Sequence, residues 1–340
     1  MKAQSTTQSE FDLIRHYFAG LTRSRDDVSL GIGDDAALLN VPPGMELAVS
    51  IDTLVAGVHF FSDVSPAALG HKVLAVNLSD LAAMGAEPAW TTLALTLPKV
   101  DESWLTEFSR GFEALAGRYG AALVGGDTTR GPLSITVQAH GWVPAGSALR
   151  RSGAREGNDI YVTGTLGDAA LYLASKSLNL SEQGQFAPLR ESLERPQPRV
   201  EAGLALRGIA SSAIDISDGL IADLGHILAA SVMGASISLD RMPLSKEMAQ
   251  WQHKKKDWST VLAGGDDYEL CFTADKSKRK EITRISKELN LPISCIGTIE
   301  SQPGLRITQP DGKLWSGPDK GFDHFSEEGR FSMEGQDGET

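Results

Sequence analysis

The stretch AALGHKVLAVNLSDLAAMGAEPAWTTLALTLP, residues 67–98, decides the architecture. Ser65 and Pro66 stand just ahead of it. They read as an N-cap followed by proline at the first helical position, where its missing N–H breaks no hydrogen bond. The run after them is predicted to be a helix that stops at Gly85, and WTTLALTLP then reads as a strand with a proline stop. A helix handed straight to a strand points to a mixed α/β (α+β) class. One residue stands out. Asp80 sits mid-helix among Val73, Val76, Leu78 and Leu81, where a carboxylate is a poor choice for burial.

The same mixture continues outward. Glu10 to Ala19 has helical spacing, with Leu13, Ile14, Tyr17 and Phe18 on one side. MELAVSIDTLV (45–55) reads as a strand. Asp101 opens a helix whose apolar stripe is Trp104, Leu105, Phe108, Phe112, Leu115 and Tyr119. AALVGGDTTRG (121–131) is predicted to be a strand ending in a glycine-rich turn, and LSITVQAHGWVP (133–144) another strand. From 145 to 158 the texture turns to glycine, arginine and polar residues, which places a domain boundary there. The expected division is 1–150, 151–325 and a polar, disordered tail over 326–340. The second part shows strands at 159–164, 213–217, 235–239, 268–274 and 293–300, and helices at 168–177, 199–210, 219–231 and near 276–289. Lys254 to Lys256 read as a solvated patch. The two parts echo each other faintly, NLSDLAAMGA with DISDGLIADLGH and VGGDTT with AGGDDY.

With 340 residues, 41% of them apolar, there is material for a sizeable core. The net charge of −12 repels phosphate backbones and argues against nucleic acid as a partner. The two cysteines, Cys271 and Cys295, lie in short apolar runs and read as reduced core thiols. There is no apolar signal core near the start and no apolar run of about 18 residues or more. The expectation is a soluble, cytoplasmic protein with no membrane partner.

The chemistry lies in aspartates beside glycines or interrupting apolar segments. They are Asp34 and Asp35, Asp52, Asp80, Asp127, Asp215 and Asp218, and Asp266 and Asp267. Singly, an aspartate after a strand caps a turn or the next helix. Capping does not explain Asp80. Were these groups to converge, each close pair would cost roughly 4 kcal/mol at about 4 Å and an effective dielectric of about 20. Hard divalent ions with oxygen ligands answer that repulsion, Mg²⁺ above all. The neighbouring glycines open the backbone to phosphate. Arg130 and the Arg150-Arg151 pair offer guanidinium partners for its oxygens. His59, just past Asp52, is placed to donate to a phosphate.

Other chemistries fit less well. There is no GxxxxGK[ST], no kinase HRD or DFG set, no GxSxG elbow, and none of the seven histidines has HExxH spacing. GIGDDA fits a loose dinucleotide pattern, but no clear strand precedes it and two carboxylates would repel a pyrophosphate.

In order, GIGDDAALL (31–39), VSIDTLVAGVHF (49–60), KVLAVNLSDLAAMGAEPAW (72–90), LVGGDTTRGPLSITV (123–137), RRSGAREGNDIYVTGTLGDAA (150–170), AIDISDGLIADLGHI (213–227), GGDDYELCF (264–272) and GFDHF (321–325) resemble the successive motifs of the thiamine-monophosphate kinase family. The resemblance runs from about residue 10 to 325. It implies the two-domain fold of the aminoimidazole-ribonucleotide-synthetase-like superfamily, with a homodimer joined through N-terminal sheets. It implies phosphorylation of thiamine monophosphate to thiamine diphosphate by direct in-line transfer of the γ-phosphoryl of ATP, with several Mg²⁺ ions, a K⁺ requirement left open, and no general base. By the resemblance, Asp35, Ser50, Asp52, Asp80, Asp127, Asp215 and Asp218 match metal ligands. Gly126, Arg151 and Ser217 match ATP-contacting positions, and His59, Asp80, Asp266 and Phe322 match positions around the thiamine phosphate. Three positions depart from the pattern. Ile51 replaces a threonine, Asp266 replaces a glutamate and shortens its reach, and Phe322 lacks the polar tip of Trp or Tyr. The rival readings are selenophosphate synthesis or purine ring closure within the same superfamily, a metal-dependent phosphatase, and a non-catalytic metal- or nucleotide-binding protein. Selenophosphate synthesis calls for a reactive cysteine near the N-terminus, and the first cysteine here is Cys271.

Overall fold

The computed structural model describes residues 13–21, 25–178, 180, 184 and 186–317. Phe322 and the 326–340 tail lie outside them. The described residues divide into two units, 13–77 with 88–142, and 78–87 with 143–317.

The first unit grows from the stretch that opened the sequence. Pro66–Ala83 is a helix (α1) and Glu87–Leu97 a strand (β4). Ahead of them come Val28–Leu30 (β1), Leu38–Leu39 (β2) and Met45–Val55 (β3). After them come Glu102–Tyr119 (α2), Ala122–Arg130 (β5) and Ser134–Pro144 (β6). β1 and β2 pair antiparallel, and the remaining strands form a four-stranded sheet in the order β3-β6-β4-β5. β4 and β5 run parallel, as a crossover through α2 requires. α2 starts where Asp101 accepts the Trp104 amide at 3.0 Å, and its Leu105, Phe108, Phe112 and Leu115 are buried as its spacing predicts. α1 and α2 cross at two glycines. A Cβ on Gly111 would lie 1.9 Å from the Ala67 carbonyl oxygen, and one on Gly70 2.1 Å from that of Phe108. The predicted helix over 10–19 is described from Leu13 onward as a π-turn, Ile14–Phe18, with Leu13, Tyr17 and Phe18 buried.

A polar staple fixes the segment that carries Asp34 and Asp35. The Asp27 carboxylate takes Nε and Nη2 of Arg25 at 2.9 and 2.7 Å and the Trp90 indole N–H at 3.0 Å. Arg25 also donates to the Gly120 carbonyl at 2.5 Å and lies over the Trp142 ring, which meets Trp90 edge-on. Val28, Ala37, Leu39 and Met45 pack on the same aromatic cluster.

In the second unit, Asp159–Thr163 (β7), Ala210–Asp215 (β8), Gly234–Ser238 (β9), Leu270–Ala274 (β10), Ile293–Glu300 (β11) and Gly304–Thr308 (β12) form a six-stranded sheet ordered β12-β9-β11-β7-β10-β8. Neighbours are antiparallel except β12 and β9. Its helices are Asp168–Ser177 (α3), Arg190–Glu194 (α4), Val200–Ala205 (α5), Leu220–Ser231 (α6), Lys246–Lys255 (α7), Ser259–Ala263 (α8) and Arg279–Glu288 (α9). β7 and β10 are buried along their whole length, so they read as apolar runs without alternation. The helix predicted over 199–210 is shorter. It gives way to a turn whose Gly208 has φ +69°, and β8 starts at Ala210, before the strand predicted at 213. The exposed Lys254–Lys256 run closes α7, where cations suit the carbonyl end of a helix. Cys271 is buried and Cys295 half-buried, and both are free thiols. No helix among the described residues is long and apolar enough to cross a membrane.

The Arg25 guanidinium holds the Asp27 carboxyl below the usual carboxylate range, and the Trp90 indole adds to the pull. A depressed carboxylate contributes stability above its unfolded pKa of about 3.9 and loses it as pH falls through the folded value. Asp27→Asn is expected to cost about 1–3 kcal/mol at pH 7 in denaturant unfolding. The gap from wild type should close as pH drops below about 4. An equal gap at pH 3 and pH 7 would contradict the staple.

Candidate functional site

In the first unit the singled-out acids are exposed or half-buried. Asp34 and Asp35 are exposed on the connection between β1 and β2, and the Asp35 amide donates to Asp34 Oδ1 at 2.9 Å. A strand does precede this turn, contrary to the sequence expectation. The turn leads into β2 rather than into a helix. The helix N-terminus that would hold a pyrophosphate is missing, so the dinucleotide reading fails on that ground. Ser50 and Asp52 lie half-buried on one face of β3 with Leu54, because side chains alternate along a strand. His59 follows in the next turn. Its Nδ1 accepts the Val55 amide at 3.0 Å, so in the neutral ring the proton sits on Nε2, a donor suited to a phosphate oxygen.

Asp127 is exposed on β5, and here the structure corrects the sequence reading. Gly125 and Gly126 are not in a turn, since β5 runs through them to Arg130. The pairing with β4 shifts by one residue at Thr91/Thr92, which leaves Val124 as a bulge just before the glycines. A Cβ on Gly126 would stand 2.0 Å from the Leu93 carbonyl oxygen, so close strand approach already demands that glycine. Gly125 has no such neighbour, with only a Thr92 methyl at 3.8 Å.

In the second unit the structure joins two segments that the sequence sets far apart. Asp80 is half-buried near the end of α1, and the buried Ser79 hydroxyl beside it donates to Asp215 Oδ2 at 2.8 Å. Past Asp215 the chain turns through Ser217 and Asp218 into α6. Asp223, one turn inside that helix, reaches back and accepts both their amides on Oδ2, at 3.0 and 3.1 Å. Burial, then the charges of Asp215 and Asp218, push the Asp223 carboxyl up to about 7, against the pull of the two amides. Asp223 was not foreseen from the sequence. Its signal was that of Asp80, an acid among apolar helical residues, here Leu220, Ile221 and Leu224.

The AGGDDYE loop lies against the same turn. The Asp266 amide donates to the Ser217 carbonyl and the Tyr268 amide to that of Ile216, both at 2.8 Å. Asp266 and Tyr268 hold left-handed backbones, φ +61° and +50°, an uncommon conformation outside glycine. The Tyr268 hydroxyl donates to Asp266 Oδ1 at 2.9 Å and orients that carboxylate. Asp267 points elsewhere. It accepts the Gly167 amide at 2.8 Å, keeps a buried Oδ2 without a partner, and has its carboxyl raised well above the usual range by burial. Behind the loop Glu269 is clamped by Arg199 through two hydrogen bonds and by the Thr163 hydroxyl at 2.6 Å. Thr163, Arg199 and Glu269 carried no expected role from sequence. Arg151 and Arg130 are exposed. Phe322 lies outside the described residues.

Among the described residues no three His, Cys, Asp or Glu side chains form a group that could hold a metal ion by themselves. The donors on display are carboxylates and a hydroxyl. That set fits a hard ion which keeps several waters and takes phosphate oxygens as further ligands, the habit of Mg²⁺ and not of zinc.

Residues 33–143 match the family model for the N-terminal domain of AIR synthase related proteins, and residues 155–309 that for the C-terminal domain. The thiamine-monophosphate kinase of Salmonella typhimurium is 52% identical over 320 residues, 93% of this chain and 98% of that one. That of Escherichia coli K12 is 50% identical over 323 residues, with the same coverage. The chain belongs to the thiamine-monophosphate kinase family. The crystal structure of the thiamine-monophosphate kinase from Stenotrophomonas maltophilia K279a matches with a TM-score of 0.83 at 46% identity, over 91% of this chain and 98% of that one. AaThiL complexed with AMPPCP and TMP matches with a TM-score of 0.74 at 30% identity, covering 84% and 89%. A hydrogenase maturation protein, HypE, in complex with ATP shares the fold at 19% identity and a TM-score of 0.74. The expected mixed α/β, two-domain fold of this kinase family is therefore borne out.

Asp223→Ala should free the Ser217 and Asp218 amides. Losing the acceptor of both amides costs about 1–3 kcal/mol, so their hydrogen exchange should accelerate by about fivefold or more. Unchanged protection at both amides would rule out this role for Asp223.

Proposed function

We propose that this chain transfers the γ-phosphoryl group of ATP in line to thiamine monophosphate, giving ADP and thiamine diphosphate, in the cytoplasm. The observation that carries the reading is 52% identity to a thiamine-monophosphate kinase across 93% of one chain and 98% of the other. Asp35, Ser50, Asp52 and Asp127 of the first unit, and Asp80, Asp215 and Asp218 of the second, are the residues that would hold Mg²⁺. When bound, Mg²⁺ supplies neutralisation of the phosphate oxygens, which lets a chain of net charge −12 accept two anionic substrates.

The remaining roles belong to side chains and backbone. Asp223 presents Ser217 and Asp218 by holding both amides, and Ser217 with Arg151 and Gly126 would meet ATP. Ser79 fixes Asp215 beside the segment that carries Asp80. His59 donates from Nε2 to the thiamine phosphate, while Asp266, steadied by Tyr268, and Phe322 would position the thiamine. The acceptor is already an ionised phosphate, so in-line transfer needs positioning and charge neutralisation more than a general base. The assay is purified protein with MgATP and thiamine monophosphate, scored for thiamine diphosphate with and without K⁺, with EDTA as control. Product is expected only with metal. Phosphate release without ATP would point to the phosphatase reading, and no turnover at all to a non-catalytic binder. Asp80→Asn should lower kcat by about 100-fold or more while leaving the thermal transition in place. Near-wild-type kcat would remove Asp80 from the site.

The homodimer is part of the same proposal. β3 is an edge strand of the four-stranded sheet, and its Leu47, Val49 and Ile51 alternate onto an exposed face, Ile51 at 58% exposure. An uncovered apolar edge is a liability unless a partner covers it. A second copy, placed sheet against sheet, is that partner. Leu47→Glu with Val49→Glu is expected to halve the mass seen by analytical ultracentrifugation. A double variant that sediments as wild type would contradict the proposed interface.

A further inference from the structure

The segment between β6 and β7 carries a second arginine site. Arg150 and Ser152 line a cleft of about 470 Å³ together with Ser147, Arg207, Gly208 and Ser211. Arg151, which the proposed function assigns to ATP, is not among the lining residues, so neighbouring side chains of one segment serve different surroundings. Among the described residues no acid lines the cleft. In a chain of net charge −12, a concavity holding two guanidinium groups, three serine hydroxyls and no carboxylate is a deliberate placement of charge.

Arg207 is the less comfortable of the two cations. Its Nε donates to the Gly85 carbonyl at 2.5 Å, just past the end of α1, and so uses one side of the fork. Its Nη2 is shielded from water and has no acceptor. Among the described residues no carboxylate lies within ion-pair distance of it. Burial pulls its pKa down, and the more distant charge of Glu87 offsets this only in part. Nη2 therefore faces the protein and not the cleft, and what Arg207 brings to the cleft wall is its positive charge, which suits phosphate oxygens. Arg150 is exposed and brings the second fork.

We infer that this cleft, built by Arg150, Arg207 and the hydroxyls of Ser147, Ser152 and Ser211, is a binding site for a phosphate-bearing small molecule, separate from the residues assigned to phosphoryl transfer. Its volume leaves room for more than a phosphate group, so the phosphate would be the anchor of a larger ligand. No metal is needed, because the walls themselves are cationic.

Metal independence supplies the test. Calorimetric titration of the full chain in EDTA with inorganic phosphate, and separately with pyrophosphate, should give saturable binding of one equivalent, weakened by added KCl. Arg150→Gln and Arg207→Gln should each raise Kd by about tenfold, equal to about 1.4 kcal/mol. Arg150 is exposed, so its variant keeps the test decisive if Arg207→Gln disturbs folding at Gly85. Three results would overturn the site: no saturable heat with either probe, binding that both variants retain, or binding that Arg151→Gln alone removes.

Discussion

Carboxylates held close together repel, and the placement of acids in this chain answers that repulsion in three ways. Some are neutralised by arginine, as Asp27 is by Arg25, Asp159 by Arg279 and Glu269 by Arg199. Some take backbone amides, as Asp223 and Asp267 do. Others, Asp34, Asp35 and Asp127, are left on the surface beside glycines. The first two groups build the scaffold. They anchor the β1–β2 segment, hold the turn before α6 and pin the loop before β10. The third group is displayed by that scaffold, and a cation with phosphate is the chemistry that makes such a display useful.

In the second unit, construction and chemistry meet at adjacent residues. Ser79 ties to Asp215, and the next residue in the chain is Asp80. Asp223 holds the amides of Ser217 and Asp218 through one carboxylate oxygen. Asp267 takes the Gly167 amide, while the Asp266 carboxylate is steadied by the Tyr268 hydroxyl. One member of each set bears structure, and its neighbour is the one proposed to meet ligand. This division explains why two aspartates in a row are not redundant, and why the strained backbone at Asp266 and Tyr268 is tolerated.

Much of this was legible before any coordinates. The helix that ends at Gly85 and the strand after it follow from a proline start and apolar patterning. The misfit of Asp80 is visible as a carboxylate in an apolar helix. What the sequence hid is whatever depends on distance in space. Gly126 reads as an opening for phosphate, yet the nearness of the Leu93 carbonyl across the sheet already demands it. Asp223 reads as one more helical acid until the turn it holds is seen folding back on it. Ile51 reads as a lost hydroxyl, while its side chain points to the exposed face of β3, away from Asp52. Arg150 and Arg151 read as one pair until the cleft takes only one of them.

The account rests on metal standing between this acidic chain and its anionic ligands. The direct measurement is calorimetric binding of AMPPCP to the purified chain across a Mg²⁺ titration that starts from EDTA. The account requires, beyond any metal-independent binding that Arg150→Gln removes, a saturable binding that appears only as Mg²⁺ rises. Binding of equal affinity in EDTA and in Mg²⁺ would show that the exposed aspartates do not work through a cation.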